Sequence, residues 1–329
     1  MSKVVRFHRT GGPEVLEIDE IDLGAPGPGE IRMSVRALGL NRAESMFRLG
    51  AYLEEPQLPS KLGYEAAGEV EAVGEGVTGF AVGDVVSTIP AFSMTQYGVY
   101  GDAAIVPVHA VVKHPASLSW SEAASIWMQY LTAWGALVLN GHLAAGDAII
   151  ITAASSSVGL AAIQIAKSLG ATPIASTRTS AKREALLQAG AAHVIVTDEQ
   201  ELTAEVMRIT DGKGARMAFD PVCGPGVEAL AAALADQGTL FLYGALASEA
   251  TPFPLFPALS KNLTLRGYTL FSVTRDPELL ERGKRFVIDG IEAGHFKPII
   301  ARSFPLAEIK EAHRYLESNQ QVGKVVVTV

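Results

Sequence analysis

The chain has 329 residues, of which 48% are apolar and 19% charged, so it carries enough core-forming material for two domains and is not a disordered protein. Lys and Arg number 27 against 35 Asp and Glu, a net charge of −8 that leaves no footprint for nucleic acid or an anionic membrane. The single cysteine, Cys223, excludes a disulfide framework and any zinc site made of several thiolates.

Residues 1–10 lack the apolar core of a signal peptide, and the acidic run 17–22 follows closely, so a cytoplasmic protein is expected. Up to about residue 120 the chain shows short β-type runs at 31–35, 68–73 and 84–89. They are punctuated by Pro26-Gly27-Pro28-Gly29, Gly74-Glu75-Gly76 and Gly83-Asp84, which suggests a small β-barrel-like domain. Two uncharged stretches, 123–141 and 148–166, approach the roughly 20 apolar residues of a membrane span. The first holds Gln129, Thr132 and Asn140; the second holds Thr152, Ser155, Ser156, Ser157 and Gln164. Both therefore read as buried α/β segments.

From about residue 123 strand and helix signals alternate, as in a doubly wound parallel sheet. A strand at 148–152 feeds a helix at 158–169 that is apolar nearly all round. A second strand at 173–177, with Pro173 at its start, leads to a helix at 181–188. Strand 193–196 precedes helix 202–210, strand 217–220 precedes helix 227–235, and a strand follows at 239–243. The tail carries helices at 278–289 and 306–316 and a last strand at 323–329. In the later helix His313 shares a face with Ile309, Ala312 and Leu316 and reads as a packed residue.

The turn after the first strand of this α/β half reads Ala153-Ala154-Ser155-Ser156-Ser157-Val158-Gly159. A pyrophosphate binds where a strand enters a helix N-terminus, because free N–H groups and the positive dipole end favour an anion. Only Gly159 matches a glycine of G-x-G-x-x-G. Ala153 still suits the tight turn, Gly159 allows close helix–strand packing, and Ser156 offers a hydroxyl in place of the closest backbone approach. Ser155, Ser156, Ser157, Val158 and Gly159 are the expected phosphate contacts. At the end of the second strand, Thr177-Arg178-Thr179-Ser180-Ala181-Lys182-Arg183 contains no acid to hold ribose hydroxyls. Arg178 and Lys182 instead suit a 2′-phosphate, and cations clustered at a helix start oppose the dipole unless an anion joins them. NADP(H) is expected, with Thr177 beside it.

The assembled motifs resemble the medium-chain dehydrogenase/reductase superfamily, in its zinc-free quinone oxidoreductase branch. The similarity runs from Gly11-Gly12-Pro13-Glu14-Val15-Leu16 to Gly323-Lys324-Val325-Val326-Val327. It passes through Gly39-Leu40-Asn41-Arg42-Ala43-Glu44, Gly63-Tyr64-Glu65-Ala66-Ala67-Gly68, Leu131-Thr132-Ala133 and Gly190-Ala191-Ala192. It implies an α/β protein with a GroES-like β-barrel domain over 1–122 and 267–329, and a Rossmann doubly wound parallel-sheet domain inserted over 123–266. Zinc enzymes of the superfamily use Cys, His and Cys or Asp around a catalytic metal. Here Asn41 lies near the first of those positions, Tyr64 replaces the histidine of Gly-His-Glu, and no cysteine precedes residue 223. No metal is expected.

Without a Lewis acid, alcohol oxidation lacks the group that stabilises an alkoxide, whereas a conjugated acceptor spreads the developing charge itself. The resemblance therefore implies zinc-independent, NADPH-dependent hydride transfer to a quinone or an activated C=C bond. Asn41 resembles a family asparagine near nicotinamide and substrate, with an amide able to donate to an oxyanion or merely to cap a turn. Tyr52 resembles a tyrosine that some enoyl reductases place near the reacting carbons, where a phenol supplies a proton or a hydrogen bond or walls the cleft. Thr132, Gly244, Phe271 and Lys324 resemble cofactor contacts, with a surface salt bridge as the bland role for Lys324. Glu65 reads as structural. Val196-Thr197 stands where relatives carry Asn-Tyr, which shifts the 2′-phosphate onto Arg178 and Lys182.

A substrate cleft between the domains is expected, lined by Met46, Phe47, Tyr52, Phe92, Tyr97 and Phe271, which suits a small hydrophobic or aromatic electrophile. Residues 263–268 read as a sheet-edge strand, and relatives join such edges, so a homodimer is expected. Two other functions remain open on sequence: an enoyl-thioester reductase, for which no basic patch is evident, and a non-catalytic NADPH-binding sensor or RNA-binding protein, which the acidic charge disfavours.

Overall fold

A computed structural model describes all residues, Met1–Val329. The chain divides into two compact units, Met1–Met128 with Pro298–Val329, and Gln129–Lys297.

The first unit is built around one long strand, Glu30–Leu40. Along one side it pairs antiparallel with Glu65–Val73. Along the other it pairs first with Ala103–Pro107 and then with the C-terminal strand Lys324–Thr328. Eleven residues serve three partners because register shifts at Arg32/Met33 and Val35/Ala37 bend the strand. The full order is Ile300–Pro305, Lys324–Thr328, Glu30–Leu40, Glu65–Val73, Val85–Thr88 and Val111–Val112. A second sheet of three strands has Ser2–Phe7 between Leu16–Ile21 and Ser60–Lys61. The short, Gly- and Pro-punctuated runs of the sequence are thus real strands, two of them longer than their β-type cores and the third, Val85–Thr88, slightly shorter.

This wiring places the site residues. Val325 lies opposite Leu40, so Lys324 comes beside the end of the long strand. Gly39 is required there: a Cβ would sit 1.9 Å from the Ala124 carbonyl oxygen and 2.8 Å from Lys324 Cε. Helix Arg42–Leu49 then begins at Asn41, whose backbone N–H donates to Glu44 Oε2 at 2.8 Å in a capping-box arrangement, and it ends at Gly50 with φ 73°.

The second unit holds a six-stranded parallel sheet in the order His193–Val196, Thr172–Thr177, Ala148–Ile151, Ala215–Asp220, Leu234–Leu242, Thr264–Gly267. This is the doubly wound dinucleotide-fold order, in which the direction of strand addition reverses beside the first strand, Ala148–Ile151. Ile149, Ile150 and Ile151 are fully buried, as a strand covered on both faces demands. Helix Ser157–Ser168 is buried without a break from Gly159 to Ala166. Ile150, Ile174, Ile195, Ala218 and Leu240 pack with Val206, Val227 and Leu230 on one side of the sheet.

Several boundaries differ from the sequence reading. The region 181–188 opens with a 3₁₀ turn, Ser180–Lys182, before helix Arg183–Gln188. Helix Gly226–Ala233 passes straight into strand Leu234–Leu242, five residues earlier than an apolar-run reading places that strand. Pro173 is the second residue of an interior strand, where its carbonyl still accepts from Ala192 N at 2.9 Å. The second domain crossing falls at Lys297/Pro298 rather than near residue 267. Helix Pro277–Glu292 accounts for this: its Gly283 lies against Leu131 and Trp134, and Phe296 stacks on Tyr130 at 5.1 Å. No helix is long and apolar enough to cross a membrane.

Candidate active site and cofactor seat

In the second unit the chain leaves the first strand and turns at Ala153, with φ 44°. Ser156 caps the helix that follows, its Oγ accepting from Gly159 N at 3.1 Å. A Cβ on Gly159 would lie 2.7 Å from both Cα and O of Ala154, so glycine lets the helix close down on the turn. The next N–H groups, of Ser157 and Val158, are of the kind a helix start leaves without an intrahelical partner. Lys182, at the end of the 3₁₀ turn, reaches back and donates from Nζ to Ser155 Oγ at 2.9 Å. Two motifs chosen separately in sequence thus meet. Burial lowers the Lys182 ammonium pKa, and the nearby Arg178 charge adds to the effect. Arg178 is exposed, Thr177 is half-buried, and the exposed Thr197 donates to Thr177 O at 3.4 Å. Backbone N–H groups, hydroxyls and two cations are gathered at this turn.

At the end of strand Ala215–Asp220, Asp220 is buried and accepts from Thr152 Oγ1, Val222 N and Cys223 N. Burial raises its pKa. Cys223 Sγ donates to the carbonyl of the exposed Gly244 at 3.0 Å, and burial pushes its thiol pKa up, so this cysteine is structural. Thr132 is buried in helix Trp127–Trp134, whereas the half-buried Phe271 opens the short helix Phe271–Thr274 with the Arg275 guanidinium 5.2 Å from its ring.

In the first unit Asn41, Glu44, Glu65 and Lys324 form one buried cluster. Lys324 Nζ donates to Asn41 Oδ1 at 2.5 Å and to Glu65 Oε2. Glu65 Oε1 accepts the backbone N–H groups of Trp127 and Met128, each at 2.9 Å. Glu44 Oε1 accepts from Asn41 Nδ2 at 3.1 Å and from Tyr64 N at 3.3 Å. Burial pushes the Glu44 carboxyl up to about 7, and Glu65 adds repulsion, while Asn41 and Lys324 oppose the rise. Lys324 is 1% exposed, so its ion pair is buried and not the surface bridge considered from sequence.

The cluster corrects the role expected for Asn41. An ammonium only donates, so Asn41 must turn Oδ1 toward Lys324, and Nδ2 then faces Glu44, Glu65 at 3.2 Å and Gly39 O at 3.3 Å. Its amide protons are committed inside the protein and are not presented to an oxyanion. Sequence reasoning passed over Glu44, although the spacing Asn41-x-x-Glu44 is a capping-box signal.

Tyr52, Phe47, Phe92 and Tyr97 come together through Tyr64, which sequence reasoning weighed only as a missing metal ligand. Phe47 meets Tyr52 edge-on at 6.5 Å, Tyr64 lies 5.6 Å from Phe92, and Phe92 lies 6.0 Å from Tyr97. The Tyr52 and Tyr64 phenols lie near enough to act on each other's ionisation. Burial pushes Tyr52 up to about 12, which keeps its phenol protonated. Phe47 and Phe92 are core residues, with Phe47 fully buried; Met46, Tyr52 and Tyr97 are half-buried. Glu54, which no sequence signal singled out, accepts from Met94 N at 2.8 Å and Thr95 Oγ1 at 3.1 Å, and also from Ser93 Oγ.

Comparison with known proteins agrees with this layout. Residues 27–116 match the family model of the alcohol dehydrogenase GroES-like domain, and residues 157–285 match that of zinc-binding dehydrogenase. A quinone oxidoreductase of Pseudomonas aeruginosa is 34% identical over 99% of each chain. A 2-haloacrylate reductase of a Burkholderia species is 29% identical over 98% of this chain and 97% of its own. The crystal structure of Escherichia coli quinone oxidoreductase complexed with NADPH superposes with a TM-score of 0.93 at 30% identity, covering all of both chains. The zinc in the second model's name finds no fit at Asn41, Tyr64 and Glu65. The Lys324 ammonium already lies between Asn41 Oδ1 and Glu65, and the Tyr64 hydroxyl points to Glu54 Oε1. On its domain matches, its full-length relatives and its fold, this chain belongs to the medium-chain dehydrogenase/reductase superfamily, in the quinone oxidoreductase branch.

Proposed function

We propose that this protein is an NADPH-dependent reductase of quinones or activated C=C bonds. The observation that carries the reading is the bond from Lys182 Nζ to Ser155 Oγ, which joins the basic end of the second strand to the phosphate turn. Ser155, Ser156, Ser157, Val158 and Gly159 hold the pyrophosphate, and Thr177, Arg178 and Lys182 take the adenosine ribose and its 2′-phosphate. Thr132, Gly244 and Phe271 complete the cofactor contacts. When bound, the dinucleotide supplies the hydride.

The protein's own work is placement and proton handling. Tyr52 donates a hydrogen bond or proton to the acceptor, among Met46, Phe47, Phe92 and Tyr97. Asn41 and Lys324 act from inside the buried cluster, fixing the helix start on which Met46 and Phe47 lie. Anaerobic loss of NADPH absorbance with a benzoquinone and with an α,β-unsaturated ketone tests the reading. Turnover with both and much weaker use of NADH is the expected result; preference for a simple alcohol with NAD⁺ would sink it.

The same reading extends to assembly and place. Strand Thr264–Gly267 ends the parallel sheet, and Phe253, Leu255, Phe256 and Leu259 beside it in sequence are large, exposed apolar residues. A homodimer joined along this edge accounts for both features, and sedimentation of the wild type against Phe256→Glu tests it. One buried thiol and a reduced nicotinamide cofactor suit the reducing cytoplasm.

A further inference from the structure

Tyr52 stands on a stretch of chain that the backbone itself does not hold. Helix Arg42–Leu49 ends at Gly50, and Ala51 N donates to Met46 O at 2.9 Å. From Tyr52 to Pro59 no backbone group is bonded to another backbone group. Tyr52 and Glu54 are half-buried, whereas Leu53 between them is 67% exposed. The Glu54 carboxylate is what ties this stretch down. Its Oε1 accepts from Met94 N at 2.8 Å, and its Oε2 accepts from Thr95 Oγ1 at 3.1 Å and from Ser93 Oγ. The Tyr64 hydroxyl adds a longer bond to Oε1 at 3.4 Å. The turn that receives Glu54 is firm. Gln96 N and Tyr97 N both donate to Ser93 O, at 3.3 and 2.9 Å, Met94 is fully buried, and the Tyr97 hydroxyl donates to Glu30 Oε1 at 2.8 Å.

We propose that Glu54 is the positioning residue for Tyr52: its carboxylate pins the stretch 52–59 to the turn 93–97 and so fixes the phenol at the acceptor. The inference rests on the reductase reading above, which gives Tyr52 its role. Glu54 accepts every hydrogen bond it makes and supplies no proton; its work is geometric. The turn is flanked by Phe92 and Tyr97, so the tether joins the segment bearing Tyr52 to the segment bearing two other residues assigned to the acceptor pocket. A phenol acts only within hydrogen-bond reach of the reacting group, and a misplacement of about 1 Å costs up to a hundredfold in rate. The Phe47 ring packs edge-on against Tyr52 at 6.5 Å, but it does not hold the backbone that carries Tyr52. Without Glu54 the stretch would hang between Gly50 and strand Ser60–Lys61, held by side-chain packing alone.

Glu54→Ala removes the tether and Glu54→Gln rebuilds it, since a carboxamide keeps an oxygen for Met94 N and turns its NH₂ group to the Ser93 and Thr95 hydroxyl oxygens. In the cofactor-free protein, chymotrypsin should cut after Tyr52 or Leu53 about tenfold faster in Glu54→Ala than in wild type or Glu54→Gln, with the sites read by mass spectrometry. With NADPH and an α,β-unsaturated ketone, kcat should fall about tenfold in Glu54→Ala and recover in Glu54→Gln, while KM for NADPH stays unchanged. In a Tyr52→Phe background Glu54→Ala should cost nothing further in kcat, because the group it positions is already gone. Unchanged cleavage in Glu54→Ala would overturn the tether. A kcat loss of the same size in the Tyr52→Phe background would overturn the positioning role, since it would mark a general loosening of the domain. If the wild type turned over no enone, or Tyr52→Phe matched it, the reductase reading of Tyr52 would fail instead, and the cleavage rates would still decide the tether.

Discussion

The phosphate turn of the second unit and the polar cluster of the first are made of different material. At 153–159 the groups proposed to bind phosphate are mostly backbone: helix N–H donors, a turn at Ala153 and one indispensable absence of a side chain at Gly159. At Asn41, Glu44, Glu65 and Lys324 the groups are side chains from three separate stretches, with two carboxylates and an ammonium out of reach of water. A backbone seat tolerates changes of sequence, so Ala and Ser stand where glycines are usual. A buried side-chain cluster tolerates little, because each lost partner leaves another group unsatisfied.

The largest expected effect breaks the second region. Lys324→Met leaves Glu65 and Glu44 buried with no cation, which costs about 3–5 kcal/mol in a urea or thermal unfolding measurement. The double variant Lys324→Met/Glu65→Gln should recover part of that loss. A cost for the single variant below about 1 kcal/mol would show that the pair is not desolvated as drawn.

Next in size is the pH dependence that Glu44 imposes. Burial raises its pKa from the ordinary carboxyl value of 4.5 to about 7 in the folded protein. Below pH 4.5 both folded and unfolded chains hold this proton, and the site contributes its full share of stability. Between 4.5 and about 7 the unfolded chain releases the proton while the folded one retains it, so stability falls as pH rises. The loss approaches ~3 kcal/mol above pH 7. Glu44→Gln should remove that slope, so the variant gains on the wild type steadily from pH 4.5 to 8. Parallel stability–pH curves would refute the assignment.

The first region is probed by Arg178→Ala. A charge-assisted contact with a 2′-phosphate contributes about 1.5–3 kcal/mol. The variant should therefore bind NADPH roughly ten- to a hundredfold more weakly, with NADH affinity nearly unchanged, by titration of nucleotide fluorescence. Equal weakening of both would place Arg178 elsewhere than at the 2′-phosphate.

What was legible in the sequence follows the same division. Alternating apolar strands and helices gave away the parallel sheet, because a buried strand such as Ala148–Ile151 must be apolar and its helix must be closed by a turn. Arg178 and Lys182 stood out in sequence because charge at a helix start is anomalous without an anion, and Lys182 does reach Ser155 of the turn. The meeting of Asn41 with Lys324 was not, since 283 positions separate them and only the pairing of Val325 with Leu40 brings them together. Glu54 was invisible for a related reason: in sequence it is one acid among 35, and its hydrogen bonds come from the 93–95 loop folding over it.

The smallest effect separates stability from binding within the turn itself. Ser156→Ala removes the cap on helix Ser157–Ser168, at a cost of about 1 kcal/mol. If Ser156 only caps, Ser156→Asp should restore stability, since an aspartate accepts the same Gly159 N–H and suits the helix dipole. The same aspartate would set a negative charge against the pyrophosphate, so NADPH affinity should fall further in Ser156→Asp than in Ser156→Ala. Stability and affinity would then move in opposite directions between two substitutions of one residue. If they moved together, Gly159 N–H and the cap would govern both, and the turn would be a structural βα connection with no anion seat.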